Sequence, residues 1–257
     1  MEKTAVKKVR AEADMTKGSI VKCMALFTLP LLAGNFFQQL YNMVDTWVIG
    51  QTGDAGAYSA VGSVGPITNI YIGLFSGLAS GAGVVISQYF GANDNEKLSK
   101  TVHTSALITI ILSVVFTAVS LLLTPLMLQL MLRTTEGEIY PAAQTYLLIY
   151  FSGTVFTLVY NMGAAILRAV GDSKRPFYYL AVAAVINTVL DLVFVFNFDM
   201  GVAGVAYATI IAQAVSAILT VITLLNTRLC VRVTPKLMKI DWPILKKIVI
   251  VGIPAAL

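Results

Sequence analysis

Apolar residues fall into six long blocks separated by short polar segments, and a seventh block closes the sequence. The six run Met24 to Ile49, Ala60 to Phe90, Thr101 to about Leu132, Ala142 to Leu167, Phe177 to Phe198 and Val202 to Leu225. Each exceeds the roughly 20 residues that a helix needs to cross a bilayer. The pattern predicts an all-α polytopic membrane bundle of six transmembrane helices and the start of a seventh, from Trp242 to Leu257. Four segments follow: a basic tail 1–22, a six-helix bundle 23–227, a linker 228–241, and the opening of a further unit, 242–257.

Prolines and small residues punctuate the blocks. Pro66 predicts a bend near one end of the second, Pro141 suits the first turn of the fourth, and Pro176 opens the fifth. The third block is over-long for one crossing, which predicts tilt or a break near Thr124–Pro125. Gly73, Gly77 and Gly81 recur every four residues, with Ser76 and Ser80 alongside, a spacing that lets helix backbones approach closely.

One block departs from the pattern. Asn35, Gln38, Asn42 and Asp45 stand at steps of three, four and three in the first span, with Tyr41 beside them. On a helix they share one face, and a polar stripe on an apolar helix points at protein or water rather than lipid. Such residues serve either as hydrogen-bonding contacts between helices or as lining of a functional cavity. An ionisable Asp45 favours the second role, because a charge inside a span is costly.

Composition sharpens the class. The chain is 57% hydrophobic and 12% charged, against about a quarter charged in soluble domains, and its mean hydropathy is +0.80. The net charge of +5 does not point to nucleic acid, because the basic residues lie between the apolar blocks. If the N-terminus faces the cytoplasm, 17 of the 18 Lys and Arg fall on the inner side and only Arg133 on the outer. An integral, multi-pass membrane protein with a cytoplasmic N-terminus is expected. Cys23 and Cys230 are expected to be unpaired, and His103 reads as an interfacial residue rather than a proton carrier.

Of the 13 acidic residues, 11 lie in tails or loops; the exceptions are Asp45 and Asp191. They sit four and seven residues from the same-side ends of parallel spans, so their depths differ by a few ångströms at about 1.5 Å per residue. Neither span offers a basic partner. Two such acids hold protons or hold a cation. Asn187 precedes Asp191 by one turn, the fourth span offers Thr157 and Asn161, and the sixth offers Thr209, Gln213, Ser216 and Thr220. These oxygens suit a hydrogen-bond network or a small hard cation such as Na⁺. Gln213, Ser216 and Thr220 read more simply as interhelical packing.

Five ordered pieces carry a resemblance: LPLLAGNFFQQLYNMVDTWVIG, QYFGANDNEKL, AAILRAVGDSKRP, INTVLDLVFVF and GVAGVAYATIIAQ. Together they resemble the multidrug and toxic compound extrusion (MATE) transporters from about Thr16 to Leu257. The resemblance implies one lobe of a twelve-helix, two-lobe antiporter that exports cationic amphipathic compounds in exchange for H⁺ or Na⁺. It implies no cofactor and no enzymatic activity, and leaves a second lobe outside this chain. It places Asp45, Asn161, Asn187, Asp191 and Thr209 in the ion site and a bend at Pro30; the polar stripe Asn35, Gln38, Tyr41 and Asn42 is expected to line the substrate cavity. Leu29-Pro30-Leu31-Leu32 also matches Ile253-Pro254-Ala255-Ala256, as a parallel repeat would require. Two alternatives remain open. A flippase of lipid-linked sugars belongs to the same broad superfamily but calls for cavity Arg and Lys, which the spans lack. An intramembrane aspartyl protease needs two membrane acids but carries a GxGD-type motif absent around Asp45 and Asp191.

Overall fold

The computed structural model describes residues 20–53, 55–132, 139–227 and 229–256. Most of the basic tail, Arg133 and Arg228 therefore lie outside the described residues. The chain is a helical bundle: α1 Ile20–Gln51, α2 Ala55–Gly91, α3 Asn95–Leu132, α4 Ile139–Ser152, α5 Thr154–Ala169, α6 Lys174–Leu192, α7 Gly201–Asn226 and α8 Trp242–Ala256. Among the described residues, four helices are long and apolar enough to cross a membrane, or five if α4 and α5 form one broken span. Exposed Leu122, Leu130, Ile70 and Val185 give the bundle the apolar rim that lipid requires. The chain is a multi-pass membrane protein.

Of the tilt or break expected in the third block, the break is absent, and a break occurs in the fourth block. α3 runs unbroken through Pro125, and Thr124 Oγ1 donates to Ser120 O at 2.7 Å within it. The break falls instead at Gly153, where α4 and α5 meet at 47°. The Ile210 side chain of α7 crowds this point, and a Cβ on Gly153 would clash with it. Only a residue without a side chain lets the chain turn this close to α7, and a Ser-Gly pair is a common kink site. α6 also ends in a π-helical turn, Val193–Asn197, immediately after Asp191 and Leu192.

Small residues position two further contacts. A Cβ on Gly81 would meet Gly252 Cα and N at 2.7 Å, and one on Gly252 would meet Gly77 O at 2.9 Å. The glycine ladder of α2 is thus the seat of α8. Gly73, one rung further, faces open space. On α5, Gly163 admits Thr220 of α7, whose Cγ2 an added Cβ would meet.

At the basic end of the bundle, three aspartates repeat one capping device. Asp94 Oδ1 accepts from Lys97 N, Asp172 Oδ1 from Arg175 N and Asp241 Oδ1 from Ile244 N, at 3.0 to 3.2 Å. The bond from Lys97 N, with the Lys97 side chain beside it, holds the Asp94 carboxyl below the usual carboxylate range. The segment from Leu229 to Asp241 is tied down. His103 of α3, itself buried, donates from Nδ1 to Ser99 O (2.7 Å) and accepts at Nε2 from Thr234 N (3.0 Å). Next to it, Thr104 Oγ1 donates to Lys239 O at 3.2 Å and accepts from Asp241 N at 3.1 Å. His103 is therefore a pin for this segment. Cys230 is a free, exposed thiol.

Candidate functional site

The two acids meet. Asp45 of α1 and Asp191 of α6 are buried, 6% and 0% exposed, and Asp45 lies within reach of the Asp191, Asn187 and Thr209 side chains. α6 packs on both α1 and α7, so one helix carries Asp191 and Asn187 to the seam where Asp45 and Thr209 face each other. Thr209 Oγ1 lies 3.3 Å from Asp45 Oδ2. Few of the remaining polar atoms are satisfied. Asp45 Oδ1, both Asp191 oxygens and both amide atoms of Asn187 are buried without a hydrogen-bond partner in the structure. Buried polar groups are normally paired, so a cluster of five such atoms is a departure from ordinary packing.

An open cavity of about 480 Å³ adjoins the pair. α1 lines it with Asn35, Gln38, Tyr41, Asn42 and Asp45, all five members of the polar stripe, joined by Gln39 and Thr46. Thr209 closes the end beside Asp45. The far wall was not legible from the spacing: Thr68 and Asn69 of α2, and Tyr146 and Tyr150 of α4. The two tyrosine rings stack at 5.9 Å with 12° between planes. Thr68 and Asn69 sit as polar residues beside Pro66 in an apolar block, which was a usable signal.

The other expected residues lie elsewhere. Asn161 is half-buried on α5 and lines no wall of this cavity. Pro30 lies inside the unbroken helix α1, 15 residues or about 22 Å along the axis from Asp45. Ser216 and Thr220 spend their hydroxyls locally, on Gln213 O and Ser216 O at 2.8 Å. Among the described residues, no group of three His, Cys, Asp or Glu could hold a metal ion. The acidic pair with its amide and hydroxyl neighbours can take up a proton or a small oxygen-ligated cation.

The family model MatE matches residues 30–193, which include α1 from Pro30 and both acids. The chain belongs to the MATE family. MATE proteins are transporters, not enzymes, and need no cofactor. The chain is 34% identical over 244 residues to the "Probable multidrug resistance protein YpnP" of Bacillus subtilis (strain 168), covering 95% of this chain and 54% of that protein. It is 27% identical to the "Multidrug export protein MepA" of Staphylococcus aureus, with 94% and 53% covered. A solved multidrug resistance MATE transporter of the MOP superfamily, in an outward-facing conformation, superposes with a TM-score of 0.90 at 27% identity, covering 97% of this chain and 55% of that one. The chain thus spans about half the length of the MATE relatives it matches.

Proposed function

We propose that this chain forms the N-terminal lobe of a secondary active multidrug antiporter, which exports cationic amphipathic compounds in exchange for H⁺ or Na⁺. The observation that carries the reading is the buried pair Asp45–Asp191, without a cationic side chain among its described neighbours, at the edge of a large polar and aromatic cavity. Two carboxylates in one apolar site cannot both stay ionised and unpaired. Loading the pair with a proton or Na⁺ neutralises it; emptying it leaves negative charge facing the cavity. That negative charge attracts an organic cation, and the stacked Tyr146 and Tyr150 rings offer it a π-face. Ion and drug then compete for one charge, which is the physical content of antiport.

The multidrug names of the relatives support the substrate class, and a cavity without Lys or Arg among its lining residues suits cations. Asn161 completes the proposed ion network, and Pro30 is the proposed bending point of α1 as the pair loads. The proposed setting is a bacterial cell membrane with the basic end of the bundle in the cytoplasm; the segment 228–241 then links the two lobes, and a second lobe supplies the opposite cavity wall. The test is ethidium efflux driven by an imposed H⁺ or Na⁺ gradient, measured on the full-length protein. Asp191→Asn abolishes gradient-driven efflux while membrane insertion is retained. Unchanged efflux in that variant removes the reading.

A further inference from the structure

Beneath the carboxylates lies a second polar layer. Tyr41, Asn187 and Gln213 each stand one helical turn from Asp45, Asp191 and Thr209, and each is displaced toward the basic end of the bundle. The three surround a void of about 10 Å³, walled otherwise by Thr209 and by the apolar side chains of Leu180, Ala183, Ala184 and Ala212. That is the room one water-sized guest occupies. Gln213 is 8% exposed, and its Oε1 is buried without a partner. Both amide atoms of Asn187 on the facing wall are in the same condition. The Tyr41 hydroxyl lies within reach of the Gln213 and Gln38 side chains, and Tyr41 also lines the large cavity. Tyr41 and Thr209, which line both, thus stand between cavity and void. Ser216 and Thr220, further along the same face of α7, bond to their own helix and show no such unpartnered oxygen.

We propose that Gln213 is a positioning residue of the acidic pair: with Tyr41 and Asn187 it forms a neutral floor that holds one small oxygen-ligated guest, Na⁺ or a water, and so sets how tightly the pair holds its coupling ion. This rests on the antiport reading above. Amide oxygens suit the role because they offer a lone pair to a cation or a water hydrogen without titrating themselves. Partners standing behind first ligands alter ion affinity by roughly tenfold to a hundredfold when removed.

The experiment compares Gln213→Met, which keeps length and loses the amide, with wild type and Asp191→Asn in inverted vesicles containing the full-length protein. Ethidium transport is measured against pH without Na⁺, and against Na⁺ at fixed pH. In Gln213→Met the half-saturating concentration of the coupling ion shifts about tenfold and maximal transport is retained. A shift only in the Na⁺ series identifies the guest as Na⁺; a shift in both series identifies a water. An unshifted half-saturation in both series, with Asp191→Asn inactive, overturns this inference alone. Equal transport by wild type and Asp191→Asn overturns the antiport reading beneath it.

Discussion

Thr209 Oγ1 stands between two acceptors, Asp45 Oδ2 at 3.3 Å and Val205 O at 3.0 Å. A hydroxyl has one hydrogen and cannot serve both fully. When Asp45 is ionised, the hydrogen belongs to the carboxylate. When Asp45 carries a proton, Asp45 donates to Thr209, and the hydroxyl turns to its own helix. In the proposed antiport, Thr209 would thereby pass the state of Asp45 to the backbone of α7. Thr209→Val removes the relay at nearly constant volume, and gradient-driven ethidium efflux falls by about tenfold, the scale of one hydrogen bond to a charged group. Thr209→Ser keeps the hydroxyl and retains most of the activity. Equal loss in both variants would assign Thr209 to packing.

Burying an acidic pair costs stability. Asp191 is fully buried with both oxygens unpartnered, and an unpaired ionisable group in an apolar interior weakens the fold. Asp191→Asn raises the melting temperature in detergent by about 2 to 4 °C, corresponding to about 1 kcal/mol for a protein of this size. Asp45→Asn together with Asp191→Asn loses no more efflux than either alone, because the two act as one unit. A melting temperature that falls in Asp191→Asn would show the carboxylate to be a structural tie.

The glycine ladder on α2 allows a within-helix control. Gly81 meets only backbone of α8, so a Cβ there forces the helices apart, whereas Gly73 faces open space. Gly81→Ala destabilises by about 1–3 kcal/mol, while Gly73→Ala is neutral or stabilising by up to about 1 kcal/mol, because alanine suits a helix better than glycine. Thermal unfolding of the two variants separates them; equal melting temperatures would contradict the seating of α8 on Gly81.

What the sequence reveals here follows what one helix can encode. The stripe Asn35, Gln38, Asn42 and Asp45 declares its face through spacing alone, and the structure turns that face to the cavity. Asp45 and Asp191 could be paired in advance because two parallel spans share a depth. The break at Gly153 could not, since the Ile210 side chain that crowds it comes from α7. Gln213 reads as packing among Thr209, Ser216 and Thr220, and only the neighbouring Tyr41 and Asn187 separate it from them. Single-helix periodicity shows which side is polar; which polar residues share a void depends on the helices across the seam.

His103 accepts at Nε2 from Thr234 N, 131 residues further along the chain. Because its Nδ1 hydrogen is committed to Ser99 O, the ring is fixed in the one tautomer that leaves Nε2 free to accept. Thr104 secures the same segment at Lys239 and Asp241, and Asp241 caps α8. The contacts form a chain from α3 through the segment to the start of α8, which itself seats on α2. His103→Ala breaks the first link and leaves Thr234 N without its acceptor. Amide exchange at Thr234 then accelerates by about tenfold, the effect of losing one hydrogen bond of about 1.4 kcal/mol, while the core amides of α5 and α7 keep their protection. Thr104→Val has the matching effect at Asp241. Unchanged exchange at Thr234 in His103→Ala would mean that the segment is held by the packing of Val231 and Val233 in the core rather than by the histidine.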